Sequence, residues 1–217
     1  LNGLKNRNLT GNMSGKILPN RFLTALNEKT RKSIEASIKI GNEPVSFSGY
    51  IEKFTSDLKD VRANAEIKIP SVQIRESSFK NISGRLTVNG PIIKGTGFEL
   101  STAEKNKIDG EFEYCLPDGQ IFVFMHTIGN PAFIYKTSEG KEREFLKTLY
   151  DHVTWPSENE AVDMNLKVHY FMKEKPFYLL SGNIVVTNFK YNGSPFDYGS
   201  CAFMIDSENM VIIPRII

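Results

Sequence analysis

Apolar and polar residues alternate along most of this 217-residue chain. Alternation predicts β-strands, because successive side chains of a strand point to opposite faces of a sheet. The alternating segments are short and are separated by turn sequences such as Asn89-Gly90-Pro91 and Pro117-Asp118-Gly119. This arrangement predicts an antiparallel meander of about a dozen strands. Because so large a sheet rarely stays flat, we expect a mainly β fold whose sheet curls into a trough or an open sandwich.

In two segments the apolar residues no longer alternate but recur with the period of an α-helix. Residues 21–31 place Phe22, Leu23 and Leu26 on one helical face, and residues 141–153 repeat this arrangement with their own apolar residues. Both segments are therefore predicted to be short amphipathic helices that pack on the sheet. A membrane-surface role for the first helix is the alternative, but its basic residues support that role less well than core packing.

The two predicted helices open similar stretches of sequence. Residues 34–40 resemble residues 162–168, and residues 43–51 resemble residues 175–184, in the same order. The order predicts a duplication, with one helix in each repeat. Residues 1–135 would form the first helix-plus-meander repeat, and residues 136–217 a second, truncated repeat packed on the first in one continuous sheet. The first residue, Leu1, leads us to expect a processed protein or a segment excised from a longer chain, and the apolar ending suggests that the chain continues beyond this sequence.

A Ser-Gly pair followed by one variable residue and then Ile or Leu occurs four times. The copies begin at Ser14, Ser48, Ser83 and Ser181. We interpret them as structural marks at strand starts, where Gly permits a bulge or a close strand approach and the aliphatic residue sets the apolar face.

Charge and composition narrow the classes of function. The chain has 27 Lys and Arg against 25 Asp and Glu, a formal net charge of +2, which argues against a nucleic-acid partner. No apolar run approaches the roughly 18 residues of a membrane-spanning helix. The two cysteines, Cys115 and Cys201, lie far apart and are expected to be buried free thiols.

Sequence signatures of catalysis are missing. The three histidines have no metal-ligand spacing, and the sequence has no nucleophile elbow, phosphate-binding loop or dinucleotide motif. We therefore expect no catalytic residues, no metal site and no cofactor. An enzyme would need a pocket that brings His126 or His169 together with Asp163 or Glu160, and no sequence spacing predicts one.

The Ser-Gly copies, the strand pair at residues 107–112 and 120–125, and the terminal segments 188–193 and 201–205 resemble the repeats of AsmA-like proteins, the AsmA, TamB and YhdP type of the bacterial envelope. The resemblance implies an inner-membrane-anchored protein, with the anchor outside this chain. It also implies a long β-sheet in the periplasm whose hydrophobic groove carries phospholipid between membranes during outer-membrane biogenesis.

We therefore expect a non-enzymatic periplasmic β-groove segment that binds or conducts phospholipid acyl chains or another apolar ligand, with envelope proteins as further partners. The alternative is a closed β-sandwich that binds a protein or glycan in adhesion or assembly. The residues expected to line the groove share apolar, inward-facing positions, although each could equally be ordinary sandwich core. They are Ile38, Ile40, Ile51, Ile67, Ile69, Leu86, Val88, Phe98, Leu100, Leu166, Val168, Ile184 and Val186.

Overall fold

A computed structural model describes most of the chain. The described residues are 9–19, 21, 28, 31–32, 35, 38–55, 57–102, 106–138, 140–156, 162–171, 177–206 and 210–216.

Strands dominate the described residues. The strands are β1 (Leu9–Ile17), β2 (Ile38–Ile40), β3 (Val45–Phe54), β4 (Arg62–Ile74), β5 (Ser77–Asn89), β6 (Ile92–Thr102), β7 (Lys107–Cys115), β8 (Gln120–Ile128), β9 (Val153–Thr154), β10 (Val162–Phe171), β11 (Phe177–Tyr191), β12 (Ser194–Asp206) and β13 (Met210–Ile216). A 3₁₀ turn covers Leu58–Asp60, and two α-helices, α1 (Ala132–Thr137) and α2 (Gly140–Asp151), lie between β8 and β9.

All the strands belong to one antiparallel sheet. Its order is β1-β3-β4-β5-β6-β7-β8-β10-β11-β12-β13, with β2 paired to β4 and β9 paired to β11. Neighbours in the sheet are therefore mostly neighbours in sequence, as in a meander. The sheet is open, because β1 and β13 form its two edges and do not pair with each other. The predicted mainly β meander is confirmed, and the closed sandwich of the alternative is not formed.

The two helices cover one end of one face of the sheet, which we call the inner face. Phe133 and Ile134 of α1 join a buried cluster with Ile108 of β7 and with Met164 and Leu166 of β10. Cross-strand partners in an antiparallel pair lie on the same face of the sheet. The strand register therefore identifies the inner-face residues of all the remaining strands. The opposite face is called the outer face.

Contacts with the β4–β5 hairpin fix the helices across the sheet. The Ser77 hydroxyl donates to the Phe133 carbonyl at 3.4 Å, and the Glu76 amide donates to the Lys136 carbonyl at 3.3 Å. The Arg143 guanidinium of α2 also lies 2.7 Å from the Glu76 carboxylate. The helices follow β8 in the chain, so these contacts connect them to strands three and four places away in the sheet.

Three sequence predictions of local structure had different outcomes. The helix predicted at 141–153 is confirmed as α2, whereas α1 was not predicted. The helix predicted at 21–31 lies largely outside the described residues, of which Arg21, Glu28 and Arg31 are helical. Of the strand predicted at 34–40, the described residues Ile38–Ile40 are extended and Glu35 is helical, so the prediction is wrong at Glu35. Both predicted repeats contribute to one sheet, joined where β8 pairs with β10, while the duplication itself stays a prediction.

The Ser-Gly pairs lie within strands and not at strand starts, so that interpretation was wrong in position. Their glycines face the inner side, and a Cβ there would be closer than van der Waals contact to a neighbouring group. In several cases the nearest neighbour is an aromatic ring: Gly15 faces Phe47, Gly84 faces Phe98, and the further glycines Gly95 and Gly199 face Phe112 and Phe189. The missing side chains thus make room for phenylalanine rings to lie across the inner face.

Candidate functional site

The strand register places all thirteen predicted groove residues on the inner face. In the second half of the sheet, for example, Leu166 lies opposite Gly182, and Val168 lies opposite Leu180. In the first half, Leu86 lies opposite Ala65, and Ile69 opposite Ile82. Alternation in the sequence was therefore sufficient to assign these residues to a common face.

Burial along this face is uneven. Of the thirteen residues, only Leu166 and Val186 are buried, and the other eleven are partly exposed. The buried ones lie in the cluster beneath the two helices. A sandwich core would bury the whole face against a second layer. Here the single sheet leaves most of these apolar side chains partly accessible.

An open pocket of about 450 Å³ lies on the inner face beside the helices. Its floor comes from β8, β10, β11 and β12, and its wall comes from α1 and α2. The lining residues are mostly aliphatic or aromatic: Arg75, Met125, Phe133, Ile134, Thr137, Ser138, Leu146, Leu166, Val168, Tyr170, Tyr178, Leu180 and Ile205. Arg75 is the one residue of this lining with a charged side chain.

The pocket contains two of the predicted groove residues, Leu166 and Val168, and several that the sequence did not single out. Leu180 and Ile205 are paired across β11 and β12, and each lies an even number of residues from other inner-face residues of its own strand. The alternation of apolar and polar residues could therefore have identified both. Phe133 and Leu146 come from the helices, and no pattern in the strands indicates where those helices dock.

A separate polar cluster occupies the outer face at the middle of the sheet. His126 Nδ1 lies 3.0 Å from Asp109 Oδ1 on one neighbouring strand, and His126 Nε2 lies 3.2 Å from Asp163 Oδ1 on the other. The hydrogen bond with Asp109 raises the pKa of His126, burial opposes this rise, and the charge of Asp163 adds to it. In its protonated form the imidazole forms ion pairs with carboxylates of β7 and β10, and so bridges β7, β8 and β10.

The sequence analysis named the meeting of His126 with Asp163 as one requirement for an enzyme, and the structure brings these two residues together. The site does not work as a general base when the imidazole is protonated, because neither ring nitrogen then has a free lone pair to accept a proton. His126 is also not part of the inner-face pocket lining. Among the described residues, no group of three or more His, Cys, Asp or Glu side chains is arranged to hold a metal ion.

We expect the ion pairs of His126 with Asp109 and Asp163 to make the stability of the protein depend on pH. Because the folded-state pKa of His126 is raised above its unfolded value of about 6.5, the stabilisation is fully present below that value and is lost as the pH rises through the folded pKa. Urea unfolding of the protein and of His126→Gln at pH 5.5 and 8.5 measures this contribution. The wild-type protein should lose more stability than the variant between the two pH values, and equal losses would contradict the bridge.

Both cysteines are free, as predicted, but they are only partly buried. Cys115 Sγ lies 3.2 Å from Asp118 Oδ2, a hydrogen bond that raises the pKa of the thiol. Burial raises the pKa of the Cys201 thiol. Both shifts favour the protonated, less reactive form.

The comparisons with known proteins do not assign this chain to a family. Within the described residues, no helix is both long enough and apolar enough to cross a membrane. Searches of protein-family models, curated proteins and solved structures gave no match for this chain.

Proposed function

We propose that this chain is a non-enzymatic β-groove module that holds phospholipid acyl chains on the inner face of its sheet. The proposal includes the periplasmic location and the role in outer-membrane biogenesis that the resemblance to AsmA-like proteins implies. The observation that supports it best is the partly exposed apolar inner face with an open pocket next to the helices.

The chemistry of the pocket suits a flexible apolar chain. Its volume of about 450 Å³ lies within the range of about 300–1,000 Å³ typical of small-ligand sites. Each methylene group transferred from water to such a site contributes about 0.8 kcal/mol. Aliphatic side chains such as Val168, Leu180 and Ile205 offer this contact without orienting a ligand, so affinity would depend on chain length more than on headgroup identity.

Polar side chains in the pocket lining give a place for a headgroup. The hydroxyls of Tyr170 and Tyr178 and the guanidinium of Arg75 belong to the lining. An ester or phosphate oxygen of a lipid could accept hydrogen bonds from them while the acyl chain lies on the aliphatic floor. The lining thus combines aliphatic side chains with hydrogen-bond donors, as binding of an amphipathic ligand requires.

A charge placed on the floor tests the proposal. We expect Leu180→Asp to abolish retention of phospholipid, because the carboxylate would have to be desolvated beneath the acyl chain. Native mass spectrometry and lipid extraction of the purified protein measure the bound lipid.

Asn183→Asp provides a charge-matched control on the same strand. Asn183 is exposed and lies on the outer face, three residues from Leu180, so this variant should retain lipid like the wild-type protein. The proposed function would be wrong if the wild-type protein carried no phospholipid and took up no fluorescent lipid, or if Leu180→Asp retained as much lipid as the control.

A further inference from the structure

The turn between β4 and β5 holds a basic residue in a backbone conformation that favours other residue types. Arg75 is the first of the two residues that link these strands, and its φ is 54°. Positive φ brings the Cβ close to the following carbonyl oxygen, so residues other than Gly, Asn and Asp rarely adopt it. The remaining non-glycine residues with positive φ in the described part of the chain are all asparagines, Asn81, Asn188 and Asn192. The strained backbone at Arg75 therefore indicates a role for its side chain beyond forming the turn.

Hydrogen bonds and an ion pair hold this turn in place. The Gln73 side-chain amide donates to the Arg75 carbonyl at 2.8 Å. The next residue, Glu76, donates its amide to the Lys136 carbonyl of α1 at 3.3 Å and pairs its carboxylate with Arg143 of α2 at 2.7 Å. These contacts fix the turn relative to the two helices that form the wall of the pocket, and the charge of Glu76 is directed to α2.

The hydrogen-bond donors of the pocket lining centre on Arg75. Its side chain is partly buried, and among the described residues the lining contains no Asp or Glu. The hydroxyls of Thr137 and Ser138 also belong to the lining, but each donates to a carbonyl oxygen of α1 at 2.8 Å. Tyr170 and Tyr178, which are cross-strand partners, supply two further hydroxyls. A guanidinium has five N–H donors, so Arg75 can bind a ligand oxygen in addition to a partner within the protein.

A guanidinium in an apolar lining distinguishes headgroups by their charge. Its planar fork matches the paired oxygens of a phosphate and binds them through charge-assisted hydrogen bonds. A phosphatidylglycerol headgroup has this phosphate as its only charge. The ammonium of a phosphatidylcholine headgroup offsets the phosphate charge, and it would be repelled by the guanidinium. The lining therefore favours an amphipathic ligand with a net negative headgroup.

We propose that Arg75 makes the pocket prefer phospholipids with a net negative headgroup over zwitterionic ones. This inference rests on the proposed function, because it concerns the same pocket, and it adds the class of lipid that the pocket selects. One charge-assisted hydrogen bond at a partly buried site corresponds to a preference of about tenfold. About two methylene groups have the same effect on affinity, so chain length remains the larger determinant.

Competition between two lipids with the same acyl chains tests this preference. Dilauroyl phosphatidylglycerol and dilauroyl phosphatidylcholine are offered to the protein at equal concentration, and native mass spectrometry measures how much of each is bound. The wild-type protein should bind about tenfold more phosphatidylglycerol, whereas Arg75→Asn should bind the two lipids equally. Arg75→Asn should also unfold at a temperature no lower than that of the wild-type protein, because Asn tolerates positive φ better than Arg does. Its loss of preference is then not a loss of folding.

Arg85→Asn is the matched control. Arg85 carries the same charge but lies on the outer face, where its guanidinium pairs with Glu66, so this variant should keep the wild-type preference. Arg75→Lys should retain a weaker preference, since Lys keeps the charge but lacks the planar fork. Inorganic phosphate should not displace phosphatidylglycerol, because it has no acyl chain to contact the lining. Displacement would identify a site for free anions and would overturn the proposal.

The outcomes separate headgroup selection from lipid binding itself. Equal binding of both lipids by the wild-type protein would overturn this inference and leave the proposed function intact. The same holds if Arg75→Asn keeps the wild-type preference, or if Arg85→Asn loses as much of it as Arg75→Asn does. If the wild-type protein binds neither lipid, the proposed function is wrong and this inference fails with it.

Discussion

Replacing Met164 by alanine is expected to lower the free energy of unfolding by about 2–5 kcal/mol. Met164 is 0% exposed and lies in β10 between Thr127 of β8 and Ile184 of β11. It belongs to the buried cluster that includes Phe133 of α1. Truncation there leaves a cavity beneath the helices that strands paired on both sides of β10 cannot easily close. Urea unfolding followed by circular dichroism measures the loss.

Met204→Ala is the control for this prediction. Met204 is the same residue type in a strand of the same sheet, but it lies on the outer face and is 47% exposed. Its replacement should change the stability by no more than about 0.5 kcal/mol. Equal effects of the two substitutions would show that the inner-face cluster under the helices is not the principal core.

The second large effect is expected from Gly95→Val, which should destabilise the protein by about 1–3 kcal/mol. A Cβ at Gly95 would overlap the ring of Phe112 and lie 2.6 Å from Phe98 Cε2. The two rings contact each other, with centroids 5.5 Å apart, so neither is free to move away alone. The loss should occur although valine favours strands more than glycine does.

A double-mutant cycle identifies the cause of that loss. Removing the ring by Phe112→Ala should relieve part of the effect of Gly95→Val, and the two substitutions should therefore be non-additive by at least about 0.5 kcal/mol. The neighbouring residue gives a local control, because Thr96 is exposed and lies opposite Arg85 on the outer face, so Thr96→Ala should change stability little. Strict additivity of Gly95→Val and Phe112→Ala would contradict the packing of rings over glycines.

Much of the sheet was predictable from the sequence because a strand's side chains alternate between two faces. Leu166, Val168 and Ile184 were assigned to one face from that alternation alone, and the strand register agrees. The assignment did not depend on knowing the neighbours of each strand. The assignment needed only the rule that every second side chain of a strand lies on the same face, together with short turns between strands.

The parts that were missed depend on contacts between distant segments. Helix α1 has six residues, too few for a helical period to be recognised. Its docking rests on contacts such as that between Ser77 and Phe133, which are 56 residues apart. The His126 cluster likewise needs the pairing of β8 with both β7 and β10. Sequence alternation does not specify which strands become neighbours, so neither feature was predicted.

The meander order has a consequence for how the chain folds. Most strand pairs on the path are consecutive in sequence and joined by short turns, so forming each pair requires closing only a small loop. The two longer closures lie between β1 and β3 and between β8 and β10. Short closures lower the contact order and favour fast, hairpin-by-hairpin growth. The segment that holds α1 and α2 is then the point where two such growing halves must meet before the core under the helices can form.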